Sequence, residues 1–289
     1  GIWLLTVHFD SREEQACWHV RMQNSHPIIQ QAVCQAEKDG QKFISFRLEP
    51  NRDQAACLAL IEFLYSFFSS FHLEKKIREI IQNRYLFQDE DEVEHIAEMA
   101  MLMWEGEVVY HGANDLPEKL RNRVSGLFKE IVSEQVPFSF QSLWSFRMRA
   151  IQDEFVSLVG IAIDEYKLEQ DYQEFIFLLR GLLEVRRPLL EEVHLVYKDE
   201  FFFYNQHFQL ISKRNLANAI DRKLMAENPM FVDSNTIAPL VSMAPRKIFI
   251  YAEDEEIRII RTLKKIFEER IIIAHPNRFA DRLNGGETR

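Results

Sequence analysis

The clearest pattern of apolar and polar positions lies between Met148 and Pro188. Apolar residues recur there at steps of three and four. They are Met148, Ile151, Phe155, Leu158, Ala162 and Tyr166, followed by Leu168, Tyr172, Phe175, Leu179 and Leu182. This spacing predicts one face of an α-helix. Gln170 and Asp171 interrupt it, so one long bent helix and two helices both fit, and Pro188 ends the pattern because proline disfavours helix before it.

Two strands and two helices are predicted before residue 50. Residues 2–9 are apolar and β-branched, and residues 42–48 alternate in the manner of a strand. Between them, residues 13–23 fit one helix. Residues 27–37 fit another, with Pro27 near its first turn and Gly40 as a stop. We therefore expect a small β-α-β unit over residues 1–50.

Helical periodicity dominates residues 51–188. Residues 54–73 are strongly apolar, and further helices are expected over residues 74–86, 90–105 and 116–134. A helix that crosses a membrane needs about 20 apolar residues. Glu62 lies in the middle of the apolar run and serines lie near it, which favours a buried core helix. Contact of residues 55–71 with a membrane surface and a true membrane span are the alternatives.

The period changes after Pro188. Residues 191–197 and 200–204 predict a hairpin that turns at Lys198-Asp199, and residues 208–211 fit a third short strand. A helix capped by Ser212 or Asn215 should then run to about residue 226, and a short helix should cover residues 236–243. Residues 247–251, 255–267 and 270–274 predict a β-α-β unit with parallel strands.

These elements together predict an α+β fold. It has a small N-terminal β-α-β unit, a helix-rich middle over residues 51–188, and a C-terminal mixed β/α region over residues 189–275. Residues 276–289 are polar and contain glycine, so a flexible tail is expected there. The pattern leaves open whether the N-terminal and C-terminal strands share one sheet.

Composition and charge narrow the classes of function. The chain has 289 residues, 23 of them Phe, and a formal net charge of −10. An acidic protein repels nucleic-acid phosphates, and its basic clusters are small, so no nucleic-acid partner is expected. The odd number of cysteines, Cys17, Cys34 and Cys57, has no paired spacing and predicts reduced thiols in the cytoplasm. The apolar start is too short for a signal peptide.

An acidic run accompanies the long helical pattern. Its members are Asp164, Glu165, Glu169, Asp171 and Glu174, with Lys167 as the base among them. One interpretation is a solvated helix face. The other is a docking surface for a basic partner protein, which would speed encounter and select the partner. Arg147, upstream of the run, either pairs with an acid on a neighbouring helix or holds an anion.

Candidate catalytic residues are few. Glu92-x-x-His95 and Glu191-x-x-His194 match the ligand spacing of carboxylate-bridged metal sites, which requires both motifs on helices. Glu92 and His95 meet that condition, whereas Glu191 and His194 lie on a predicted strand. Glycine-rich phosphate or dinucleotide loops and serine nucleophile elbows are missing from the sequence. No cofactor is therefore predicted, and the pattern favours a protein that is not an enzyme.

Several segments resemble a known family. Phe146-Arg147, the run from Ile163 to Tyr166, and the run from Asp171 to Ile176 resemble the YtxC family of sporulation-associated proteins, as do Glu192-Val193-His194-Leu195-Val196. The resemblance is best from residue 140 to 211, fair to residue 274, and weak before residue 120. It implies a cellular setting in spore development, and it brings no activity, cofactor or catalytic residue with it.

The sequence thus predicts a cytoplasmic protein of unknown biochemical activity that acts in sporulation through contacts with an unidentified protein partner. The first alternative is a metal-dependent enzyme that uses carboxylates and His95. The second is peripheral attachment to a membrane through residues 55–71. The sequence does not predict an oligomeric state.

Overall fold

The strands and helices of the computed structural model form two compact units, Gly1–Lys167 and Leu168–Arg289. The structure describes residues 3–36, 42–227 and 235–285. Each unit has its own four-stranded sheet with both parallel and antiparallel pairs, and helices make up most of the rest, so the fold is α+β as predicted. The N-terminal and C-terminal strands therefore lie in separate sheets.

The first unit contains the following elements in chain order. They are β1 (Leu4–His8), α1 (Arg12–Gln23), α2 (Pro27–Ala32), β2 (Val33–Ala36), β3 (Phe43–Arg47), α3 (Gln54–Phe67), α4 (Leu73–Asn83), α5 (Glu90–Glu105), α6 (Leu116–Glu134), β4 (Phe138–Ser139), α7 (Phe140–Ser142) and the start of α8 (Gln152–Val185). Two π-helical segments, Phe68–His72 and Leu143–Arg147, join α3 to α4 and follow α7.

The sheet of the first unit has the order β2-β3-β1-β4. β1 pairs antiparallel with β3, so that Leu5 faces Phe46 and Val7 faces Ile44, and it pairs parallel with β4 on its other side. The predicted helix over residues 27–37 ends at Ala32, because Val33 takes an extended backbone and begins β2.

Aromatic side chains fill the core between this sheet and the helices. The fully buried Trp18 of α1 contacts the rings of Phe9, Phe63 and Phe67 at centroid distances of 5.3, 4.7 and 5.0 Å. Edge-on contacts of this kind stabilise aromatic pairs beyond their buried area. The N-terminal strands and the helical middle thus share one core. Residues 1–50 and 51–188, expected as separate regions, are therefore divided differently in the structure.

The second unit begins inside α8, which is one continuous helix to Val185. The elements after it are β5 (Glu192–Lys198), β6 (Glu200–Tyr204), α9 (Lys213–Ala219), α10 (Arg222–Glu227), α11 (Ile237–Met243), β7 (Lys247–Tyr251), α12 (Arg258–Phe267), β8 (Ile271–Ala274) and α13 (Pro276–Gly285). The predicted hairpin and the predicted parallel pair are both present, in the sheet order β6-β5-β7-β8. The predicted strand at residues 208–211 is reduced to one bridge, between Tyr204 and Leu210.

The two faces of this sheet are covered by different helices. Val193, Leu195, Ile248 and Ile250 point into a core that also holds Phe175 and Leu179 of α8 and apolar residues of α11 and α12. His194, Val196 and Tyr251 point to the other face. There they meet Phe279 of α13.

The expected flexible tail over residues 276–289 is wrong for the part that the structure describes. Pro276–Gly285 is helical, with proline at its first position, where a missing N–H costs nothing. Phe279 is buried against Tyr204 and Tyr251, with ring centroids 4.7 and 5.1 Å apart. Phe279 therefore anchors an otherwise polar segment on the sheet.

Candidate functional site

An open groove of about 770 Å³ lies in the first unit, beside the junction of α3 and α4. Its volume is within the range of ordinary ligand sites. The lining residues are Tyr65, Ser66, Ser69, Ser70, Glu74, Glu98, Met101, Leu102, Trp104, Glu105 and Arg121. They come from α3, the π-helical segment Phe68–His72, α4, α5 and α6.

The π-helical segment explains why hydroxyl groups reach this groove. A π turn inserts one residue into the helical ladder and changes which side chains point inward. Phe67 and Phe68, although adjacent, are both buried in the core, and Ser66 and Ser70 are left exposed. Ser70 donates from Oγ to the Ser66 carbonyl at 2.7 Å, which leaves its hydroxyl oxygen able to accept from a ligand.

The floor of the groove is aromatic and held rigidly. Tyr65 and Trp104 stack with ring centroids 6.0 Å apart, and Trp104 Nε1 donates to Ser69 Oγ at 3.3 Å. Arg121 Nη1 donates to the Trp104 carbonyl at 2.8 Å. The helix α5 ends one residue later, at Glu105, and its C-cap Gly106 lies in the left-handed region with φ +78°. Burial raises the pKa of the Tyr65 phenol, which is therefore neutral at physiological pH.

The rim of the groove is acidic. Glu74, Glu98 and Glu105 lie along it, and Arg121 is the base among the lining residues. Glu74 is bound by Arg78 at 3.3 Å, whereas no ion pair engages Glu98 or Glu105 within the described residues. Met101 and the exposed Leu102 lie between these two carboxylates on α5. The groove combines an apolar floor with uncompensated negative charge, and it therefore suits a ligand with apolar and basic groups.

Glu92 and His95 lie elsewhere on α5, within the first two turns of the helix. The Tyr166 hydroxyl donates to Glu92 Oε1 at 3.2 Å, and the His95 ring lies edge-on to Tyr166 with centroids 5.4 Å apart. Within residues 3–36, 42–227 and 235–285, no group of three or more His, Cys, Asp and Glu is arranged to hold a metal ion. Glu191 and His194 do not come together, because Glu191 lies just before β5 and pairs with Arg246 at 3.4 Å, whereas His194 is buried within the strand.

The acidic run divides between the two units. Asp164 is exposed and Glu165 is half-buried in the first unit, and in the second unit Asp171 and Glu174 are exposed while Glu169 is half-buried. None of the five lines the groove. Whether this run docks a partner stays a prediction.

Arg147 binds an acid on a neighbouring helix. Its Nη2 lies 3.2 Å from Glu134 Oε2 at the end of α6. This contact fulfils the first of the two roles expected for Arg147. It leaves an anion-holding role without support from the geometry.

One surface was not predicted from the sequence. On α8 in the second unit, Phe177, Leu178 and Val185 are 78, 49 and 81% exposed, with the exposed Gly181 between them. The helical period assigned Phe175, Leu179 and Leu182 to the core. The apolar residues that point outward were overlooked because they lie next to these core residues in the sequence. A second apolar stripe at spacings 177, 181 and 185 was the available signal.

A buried polar pair was also missed. His194 is 1% exposed, and its Nδ1 lies 2.8 Å from the Tyr251 hydroxyl across the parallel strands β5 and β7. Its Nε2 has no hydrogen-bond partner within the described residues, and Glu192 Oε1 is 3.5 Å away. Burial, with a smaller contribution from the positive charge of Arg282, lowers the pKa of His194 to about 4. The ring is therefore neutral at pH 7, and its contact with Glu192 is not an ion pair.

The apolar run near the groove also passes a simple test for a membrane span. In the described part of the chain, Gln54–Asn83 is the one helical run that is long and apolar enough, and 39% of its most apolar window is buried in the protein. Core helices of soluble proteins pass the same test. Glu62 and Ser66 on α3, and Ser70 on the π-helical segment after it, are exposed polar residues on the outward side, and Glu62 disfavours lipid contact at the middle of the run.

Comparison with known proteins matches most of both units. The family model described as YtxC-like family matches residues 58–272, which include the groove and all of α8. The "Uncharacterized protein YtxC" of Bacillus subtilis (strain 168) is 31% identical over 223 residues, covering 75% of this chain and 77% of that protein. No solved structure matches. The match extends further toward the N-terminus than the resemblance seen in the sequence, and the chain belongs to the YtxC-like family.

Proposed function

We propose that this protein docks a basic, partly apolar segment of a partner protein in the groove of the first unit, in the cytoplasm of sporulating cells. The proposal rests on one observation. Glu98 and Glu105, which have no ion-pair partner among the described residues, lie in the groove beside the apolar side chains of Met101 and Leu102. An amphipathic segment with Lys or Arg at its edges has the matching chemistry. The sporulation setting is supported by the resemblance to the YtxC family.

The energetics favour selection over tight binding. Carboxylates at a solvent-exposed rim contribute little affinity but steer a basic partner toward the groove. The stacked Tyr65 and Trp104, fixed by Ser69 and Arg121, give the partner a floor that does not need to be ordered on binding. Preorganisation of this kind lowers the entropic cost of association.

The test is a crosslinked pull-down of the tagged full chain from sporulating cells. A groove variant carries Glu98→Lys and Glu105→Lys. Its matched control carries Glu107→Lys and Glu130→Lys, an equal change of charge at exposed positions outside the groove. We expect one stoichiometric partner that the groove variant captures at least about tenfold less than the control, since reversing two rim charges adds repulsion worth more than about 1.4 kcal/mol.

A third variant separates the groove from the acidic run. It carries Asp164→Asn, Glu165→Gln, Asp171→Asn and Glu174→Gln. Loss of the partner in this variant alone would move the docking site to the acidic run and overturn the groove assignment. The absence of any stoichiometric partner would overturn the docking function itself.

A further inference from the structure

The side of α5 that borders the groove carries its unpaired carboxylates in a straight line. Asp91, Glu94, Glu98, Leu102 and Glu105 are exposed at steps of three and four, so they share one side of the helix. Glu98 and Glu105 line the groove itself. They are seven positions apart, which is nearly two full turns and about 10.5 Å along the axis. Both carboxylates therefore point in the same direction at a fixed spacing.

The lining that comes from the other helices is polar but offers no free carboxylate. Ser66 and Ser70 are exposed there, and the carboxylate of Glu74 is bound by Arg78 at 3.3 Å. The one base among the lining residues, Arg121, donates to a backbone carbonyl near the end of α5. The unpaired negative charge of the groove thus lies on its α5 side, and a partner meets it along one edge only.

The walls of the groove are unsuited to an extended partner. The described lining residues all belong to helical segments, whose backbone groups bond within the helix. Near the end of α5, the carbonyls of Leu102 and Trp104 accept from the Glu107 N–H and from Arg121. An extended segment would leave its own backbone groups unpaired against the apolar floor, which is costly, whereas a helix satisfies them internally.

The spacing of the two carboxylates also favours a helix. On a helix that lies along α5, residues seven positions apart repeat the same spacing on one face, and the residues between them meet Met101 and Leu102. In an extended strand the same distance takes about three residues, and side chains three positions apart point to opposite faces. A strand therefore cannot present two basic residues to Glu98 and Glu105 in this way.

We infer that the partner segment docks as an amphipathic α-helix along α5, with two basic residues seven positions apart and apolar residues between them. This inference rests on the proposed docking function of the groove and adds the conformation and register of the partner. Charges at an exposed rim contribute little affinity, so the isolated segment binds weakly, with a dissociation constant on the order of 10–100 µM. The two carboxylates fix where along α5 the helix lies.

Three fluorescent peptides of about 18 residues, long enough to form a helix, test the inference by anisotropy with the full chain. The first has two lysines seven positions apart and leucines at the third and fourth positions after the first lysine. In the second, of the same composition, the second lysine is only five positions from the first, on another side of the helix. The third has a proline between the lysines, which breaks the helix. We expect the second and third to bind at least about threefold and about tenfold more weakly than the first.

Variants of the protein test the register. Glu98→Gln and Glu105→Gln should each weaken the first peptide about twofold to fivefold. Each should have no effect on a peptide in which the lysine facing that carboxylate is replaced by glutamine. Glu107→Gln, at an exposed position outside the groove, is the matched control and should leave binding unchanged. Equal binding of the three peptides would overturn the inference, and so would a first peptide that neither groove variant weakens.

Failure of this inference and failure of the proposed function give different results. A partner captured from cells through the groove, together with equal binding of the three peptides, would keep the docking function and remove the helix. Preferential binding of the first peptide, with no partner captured from cells, would support the helical register and remove the cellular role. If no peptide binds at up to about 1 mM, the inference is overturned whatever the pull-down shows.

Discussion

At the scale of single residues, Gly160 shows how a close approach can be hidden in an ordinary helical pattern. The Tyr85 hydroxyl donates to the Val156 carbonyl at 2.7 Å and lies directly over α8. A Cβ added to Gly160 would be 2.6 Å from that oxygen. Glycine normally weakens the middle of a helix by about 1 kcal/mol relative to alanine. Here it makes room for a side chain from the end of α4.

We predict that Gly160→Ala lowers the free energy of unfolding by about 1–2 kcal/mol, because the clash outweighs the gain in helix propensity. In a Tyr85→Phe background the same change should be neutral or stabilising by up to about 1 kcal/mol, since the next atom, the ring carbon Cζ, lies at an ordinary 3.5 Å. Chemical denaturation of the four proteins in this cycle measures both values. Equal effects in the two backgrounds would exclude the contact as the cause.

His194 gives the second residue-scale consequence, a dependence of stability on acid. Its folded pKa of about 4 lies below the 6.5 of a free histidine, so the unfolded chain binds more protons between these values. His194 therefore does not lower the free energy of unfolding above about pH 6.5. Below that pH, the free energy of unfolding falls progressively as the pH falls toward 4. For this buried ring the loss is on the order of 3 kcal/mol.

Replacing the pair by His194→Phe with Tyr251→Phe should flatten this part of the pH profile. The double change avoids leaving the Tyr251 hydroxyl without its partner, and it keeps the ring stack on Phe249. Urea denaturation of wild type and variant from pH 7 to pH 4 gives the difference curve, in which other titrating groups cancel. A constant difference across that range would mean that His194 does not titrate as described.

At the scale of elements, α13 keeps the His194 face of the sheet dry. Phe279 covers Tyr251, and Arg282 lies over the Phe249 ring, 5.4 Å from its centroid. The polar character of residues 276–289 concealed this helix, because a single phenylalanine and a single arginine attach it. Sequence periodicity detects stripes of apolar residues and has little to detect when the anchor is one ring.

We predict that truncation after His275 raises the pKa of His194 toward 6.5. Burial is the larger cause of the lowered pKa of His194, and removal of α13 exposes the ring to water. The truncation also removes the positive charge of Arg282, which is the smaller cause. Arg282→Gln in the full chain should raise the pKa by less, since it removes only the smaller cause. Proton NMR titration of the His194 ring reports both. A truncated protein whose His194 still titrates near pH 4 would show that burial by α13 is not responsible.

Most elements could be predicted from residue patterns, and the exceptions have physical causes. Ser212 caps α9 as expected, accepting from the Asn215 N–H, and the alternating residues of β5 and β6 form the hairpin. The π-helical segment Phe68–His72 was not predictable, because a regular helix and one with an inserted residue share the same apolar composition. The groove depends on that insertion, since it directs the serines outward. The site was therefore less predictable than the fold.

At the scale of the whole molecule, the sequence alone does not show that the long helix α8 belongs to two units with separate cores. The unit boundary falls after Lys167, inside the continuous helix α8, and the interruption of the apolar period at Gln170 and Asp171 does not break the helix. The four regions expected from the sequence followed changes in secondary structure, whereas the units follow side-chain packing across distant segments. The contact of Trp18 with Phe140 illustrates this, because it joins positions more than a hundred residues apart.

The parallel pairing of β1 with β4 has a consequence for how the protein is made. β1, β2 and β3 leave the ribosome early, yet the outer edge of β1 has no partner until Phe138 and Ser139 are synthesised. At typical elongation rates, the 92 residues from Leu48 to Ser139 take roughly 5–20 s to produce. For that interval the nascent chain presents an open strand edge. The first unit therefore completes its sheet only after Ser139 has been translated.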